Sequence, residues 1–157
     1  LETSKNNFHR AEALFKELQN IFPDLEMQLD YEDANVDLAM IIPKQRGLDF
    51  DIILTLQDGN ELHILTPHIW CKFFPAHLPH IAENFRNAAT GLLSGEYRIL
   101  QFIRNQNVCK AYLQKPEADD WITLYKHHSK FCLPWMKMEK RVVRNGSSGM
   151  KASVIQL

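Results

Sequence analysis

Residues 50–65 read FDIILTLQDGNELHIL. Phe50, Ile52, Leu54 and Leu56 alternate with Asp51 and Thr55, and Leu62 and Ile64 continue the alternation after the turn. Period two marks strands with one buried face. The turn decides the register. A two-residue Asp58-Gly59 loop would set Leu56 against Glu61 and mix the two faces. A three-residue loop, Gln57-Asp58-Gly59, sets Leu54 against Leu62 and Ile52 against Ile64. It keeps one face apolar and places Gly59 where a left-handed backbone is needed. Glu61 would then oppose Thr55, and His63 would oppose Ile53.

Alternation also runs upstream. Leu25, Met27, Leu29 and Tyr31 form one strand and Val36, Leu38, Met40 and Ile42 the next. Ala39 and Ile41 make the second apolar on both sides, which places it inside the sheet. Before them Phe8, Ala11, Phe15, Leu18 and Phe22 recur at helical spacing. That predicts a helix over 8–22, capped by Ser4 or Asn6 and ended by Pro23.

Downstream, His68–Phe74 reads as a short strand and His80–Leu93 as a helix with Ile81, Phe85, Ala88 and Leu92 on its apolar face. Ser94-Gly95 stops it. Strands follow over 96–104 and 108–114, then a loop over 115–120. Trp121–His127 fits a strand or a short helix. Residues 150–157 are read as a tail or as a strand returning beside Glu139–Arg144. Together these predict an α+β fold: an antiparallel sheet of about six strands with two main helices on one face. Residues 1–135 would be one domain and 136–157 a basic C-terminal extension or terminal hairpin.

The order of helix, four-strand meander and helix resembles domains of the ubiquitin-conjugating and RWD type, and the small secretion chaperones. The His-Pro-Asn motif of the conjugating enzymes is absent, and no cysteine sits in a matching context. The resemblance implies a layout, and a layout does not carry function.

Charge is segregated along the 157 residues. Residues 1–125 carry 11 Lys and Arg against 18 Asp and Glu, a balance of −7. Residues 126–157 carry 7 against Glu139 alone, a balance of +6. The basic end mixes cations with apolar groups, and Trp135, Lys137, Lys140, Arg141 and Arg144 are the candidate partner-binding residues. An acidic protein or a second copy of the chain is the expected partner. Nucleic acid is disfavoured because the −7 body would repel it. No apolar run is long enough to span a bilayer.

Catalytic motifs are few. His68, Cys71, His77 and His80 lie within thirteen residues, HIWCKFFPAHLPH, and are the candidate ligands for zinc or another transition metal in a hydrolase. On a strand, however, His68 and Cys71 fall on opposite faces. The simpler reading makes Cys71 a small core hydrophobe. No HExxH, CxxC, GxSxG or phosphate-loop pattern is present. Cys71, Cys109 and Cys132 match no disulfide scaffold, which points to a reducing compartment, the cytoplasm. The leading expectation is a non-enzymatic, cytoplasmic protein-interaction module, as a homodimer or with a different partner.

Overall fold

A computed structural model of the chain describes residues 2–129, 135 and 137–146. The class is α+β, with every strand pair antiparallel. Helix α1 spans Glu2–Ile21 and is followed by β1 (Gln28–Asp30), β2 (Leu38–Ile42), β3 (Ile52–Gln57), β4 (Glu61–Leu65) and β5 (Trp70–Phe73). Helix α2 spans Pro79–Ser94, and β6 (Arg98–Arg104), β7 (Asn107–Glu117), β8 (Asp120–His128) and β9 (Glu139–Val143) complete the described elements. The strands form two sheets, a meander β1-β2-β3-β4-β5 and a second sheet in the order β8-β7-β6-β9. The expectation of about six strands in a single sheet is corrected: α2 lies between two separate ladders in the chain.

The first sheet turns one apolar face to the helices. Leu38, Met40, Ile42, Ile52, Leu54, Leu56, Leu62 and Ile64 are buried there with Phe15 and Leu18 of α1 and Phe85 and Leu92 of α2. Ile99, Ala111 and Leu113 of the second sheet belong to the same core. The sheets adjoin where Phe73 of β5 lies 6.0 Å from Tyr125 of β8, ring centre to ring centre.

The β3–β4 hairpin keeps the expected face but not the expected partners. Leu56 pairs with Leu62, Leu54 with Ile64 and Thr55 with His63, so the loop is Asp58-Gly59-Asn60. A slip of two residues leaves every side chain on its face. Long-range bonds hold the observed pairing. Asp37 accepts from Gly59 N (2.7 Å), and Asn7 Nδ2 donates to Gly59 O (2.8 Å). Gly59 has φ +62, and a Cβ there would lie 2.3 Å from Ser4 Oγ. Ser4 and Asn6 therefore sit inside α1, not at its cap, because the helix starts six residues earlier than its apolar stripe.

One further expectation changes and another is decided. Residues 115–120 are not a loop: β7 runs to Glu117, β8 starts at Asp120, and a two-residue turn joins them. Pro116 is tolerated because β6 pairing ends at Gln114, so its missing N–H breaks no bond on that side. The stretch 121–127 is strand. Within the segment read as an extension, 139–143 is strand β9, paired along β6. The pairing expected between 150–157 and Glu139–Arg144 falls outside the described residues.

Candidate functional site

The four metal candidates are held by different parts of the fold. Cys71 is buried on the helix-facing side of β5, and burial pushes its thiol up to about 12. His68 lies in the loop before β5, edge-on to Phe50 (4.9 Å). Its pKa is lowered, first by burial and then by the charge of Arg141. His77 Nδ1 is 3.3 Å from Asn60 Oδ1 at the β3–β4 loop, and His80 is exposed in the first turn of α2. Among the described residues no group of three or more His, Cys, Asp or Glu is placed to hold a metal ion.

Cys109 is disulfide-bonded, whereas Cys71 is a free thiol. Cys132 lies outside the described residues. Iodoacetamide at about pH 8, near the ordinary thiol pKa, should leave Cys71 unlabelled in the native protein. Unfolding without reductant should expose Cys71 alone of these two, and Cys109 should label only after reduction. Peptide mass spectrometry reads both sites; native labelling of Cys71 would contradict its burial.

The candidate partner residues divide between the two faces of β9 and its flanks. Trp135 is 76% exposed, and Lys137 is exposed. Arg141 donates through Nε to Gln101 Oε1 (3.0 Å), and the amide of Gln101 donates to His68 O (3.2 Å). Arg144 donates to Gly95 O at the end of α2. Both arginines thus join parts of the fold. Lys140 points the other way, with Nζ 5.8 Å from the centre of the Phe102 ring.

Lys140 leads to a surface that no single stretch of sequence displays. Cross-strand neighbours share a face of a sheet. Ile99, Gln101, Ala111 and Leu113 are buried on the inner face of the second sheet. The alternate positions form its outer face. Leu100 pairs with Tyr112 and Val142, Phe102 with Lys110 and Lys140, and Tyr112 with Lys126. The contacts agree. Phe102 and Tyr112 meet edge to face at 5.0 Å, Lys126 Nζ stands 5.3 Å over the Tyr112 ring, and His128 packs on the far side of Tyr112 at 6.1 Å.

At one end of this face Arg98 lies over Trp121, 4.0 Å from Cζ to ring centre. A hydrogen-bond relay fixes it: Arg98 Nε donates to Gln114 Oε1 (2.9 Å), and Gln114 Nε2 donates to Thr123 Oγ1 (3.1 Å). Burial pulls Arg98 below the ordinary guanidinium pKa, Asp120 at the rim opposes that, and Arg144 adds repulsion. A cation–ring contact contributes roughly 0.5–1 kcal/mol when exposed and more as it is desolvated. By the register, no strand residue of the outer face is Asp or Glu; Glu117, Asp120 and Glu139 fall in the opposite phase.

The outer face of the first sheet differs. Ile41, Ile53, Leu65 and Trp70 form one cross-strand row. Trp70 Nε1 donates to His63 Nδ1 (3.0 Å), which leaves His63 Nε2 to carry the proton toward Glu61 Oε2 (3.1 Å). Lys72 holds the other oxygen of Glu61 (2.6 Å).

No protein-family model, no curated protein and no solved structure matches this chain.

Proposed function

We propose that the protein is a non-enzymatic binding module whose working surface is the outer face of the β8-β7-β6-β9 sheet, and that it takes a polyanionic partner. One observation carries this reading: Arg98, Lys110, Lys126 and Lys140 share a face on which no strand residue is acidic. The basic end noticed in the sequence contributes Lys140 to that surface, while Arg141 and Arg144 are engaged elsewhere. A net charge of −1 predicts little attraction for a polyanion from the chain as a whole. Charge laid out on one face attracts locally, within a Debye length of about 8 Å at physiological salt.

The test is retention on immobilised heparin. The protein should be retained at about 0.15 M salt, physiological ionic strength. The variant Lys110→Gln/Lys126→Gln/Lys140→Gln should flow through while keeping its circular dichroism spectrum. Flow-through of the parent protein, or equal retention of the folded variant, would sink the proposal.

Among the described residues no helix is long and apolar enough to cross a membrane. The cytoplasmic reading rested on three cysteines that match no disulfide scaffold, and the disulfide at Cys109 weakens that basis.

A further inference from the structure

From the same face, and resting on the polyanion reading, we infer that the partner is single-stranded nucleic acid, with bases stacked on Trp121, Tyr112 and Phe102 and phosphates held by Lys110, Lys126 and Lys140. The rings distinguish this partner from an acidic protein. A polyanion that met only cations would leave three aromatic side chains on an open sheet face without a role. A single strand supplies both chemistries, since every base has a π-face and every nucleotide a phosphate.

The lysines and rings are arranged for exchange. Lys126 and Lys140 are exposed, and each lies above a ring, Tyr112 and Phe102 respectively. Their stems are flexible and unbranched, so an ammonium group can move from ring to phosphate and leave the ring to a base. Arg98 is different. Its guanidinium is tied through Gln114 to Thr123, so it stays over Trp121, 4.0 Å from the ring centre, and on that side of the indole a base stacks on the guanidinium. The face spans four strands side by side, a broad surface over which an unpaired strand can spread. Duplex bases are already stacked on each other and offer no free π-face.

The −7 balance of residues 1–125 argued against nucleic acid when charge was summed along the sequence. On the fold the objection weakens. The acidic strand residues of the second sheet fall in the opposite phase to the lysines, and charges farther off than a Debye length are screened.

The test uses four fluorescein-labelled probes and anisotropy on the whole chain: a twelve-nucleotide oligo-dT, an abasic deoxyribose-phosphate oligomer of equal length, a duplex of equal length and a glutamate peptide of equal charge. Oligo-dT should bind at least tenfold more tightly than the abasic oligomer, the duplex or the peptide. Trp121→Ala should weaken oligo-dT about tenfold, within the range for one stacked base, and leave the abasic oligomer unchanged. Lys126→Gln/Lys140→Gln should weaken both strands and flatten the logarithmic salt slope by about 1.4, at roughly 0.7 per phosphate contact. Equal binding of oligo-dT and abasic oligomer would overturn the stacking inference while leaving the polyanion reading standing. A preference for the duplex or the glutamate peptide would likewise reject the single strand alone. No binding to any probe would reject both readings. Because Trp121→Ala removes a half-buried side chain, its thermal melt is recorded, and Trp121→Phe, which keeps a ring, should retain most of the oligo-dT affinity.

Discussion

Phe85→Ala should cost about 3–5 kcal/mol of folding stability, the usual range for a buried phenylalanine. Phe85 is 0% exposed and sits where three elements meet. Its ring stacks on Phe15 of α1 at 6.0 Å and receives Phe73 of β5 edge-on at 5.5 Å. Phe73 in turn touches Tyr125 of β8, so the cavity would open beside the junction of the two sheets. Two helices and a strand cannot collapse around it without moving one another. With stability near the usual 5–15 kcal/mol, the variant would lie close to its unfolding threshold. Urea titration should show the midpoint falling by about 2 M at an unchanged slope, taking a slope near 2 kcal/mol/M. Trp135→Ala, at a residue 76% exposed, is the control and should change stability by less than about 0.5 kcal/mol. A loss at Phe85 below about 1 kcal/mol would mean that this ring cluster does not join the helices to the sheets.

How much of this was legible in the sequence depends on which interaction fixes each feature. Periodicity exposes faces. The apolar positions of α1, α2 and strands β2 to β4 were therefore readable, and so was the side of the sheet on which each residue lies. Periodicity does not distinguish registers two residues apart, because both bury the same set. The hairpin partners of Ile52 and Leu54 were misplaced for that reason. The deciding contacts come from Asn7 and Asp37, far from Gly59 in the chain. Pro116 misled differently. Proline reads as a strand breaker, yet it is harmless where its N–H side has no partner strand.

The outer face of the second sheet was hidden by the same limit. Lys140-Arg141-Val142 reads as one basic patch along the chain, but in β9 successive residues point to opposite faces. The structure sends Lys140 to the rings and Arg141 to Gln101. Arg98, Phe102, Tyr112, Trp121 and Lys126 come from three other strands. Only the register brings them together. Strand alternation also separates the adjacent histidines His127 and His128: His127 faces Trp70 (6.5 Å) while His128 faces Tyr112.

Asn145→Ala should cost about 2–6 kcal/mol, because two hydrogen bonds at a buried amide are lost at once and each is worth roughly 1–3 kcal/mol when its partner stays buried. Asn145 is 4% exposed. Its Nδ2 donates to Leu92 O at the end of α2 (2.9 Å), and its Oδ1 accepts from Asp49 N ahead of β3 (2.9 Å). Gly95 completes the junction. It has φ +72, and a Cβ there would come within 2.4 Å of Asn145 O. Gly95→Ala should therefore cost roughly 1–2 kcal/mol for the left-handed backbone alone, and more for the collision. Both substitutions release the same contact between α2 and the chain leaving β9, so the double variant should lose less than the sum of the singles. The consequence reaches the outer face of the second sheet. Among the described residues β9 is an edge strand, held on one side by β6, and the Asn145 junction anchors the chain just beyond it. In Asn145→Ala, hydrogen exchange of the Glu139–Val143 peptide should rise more than that of β7, and Lys140 should contribute less to heparin retention. If β9 exchange stays at the parent rate while global stability falls, Asn145 fastens the helix to the β2–β3 loop and has no part in holding β9.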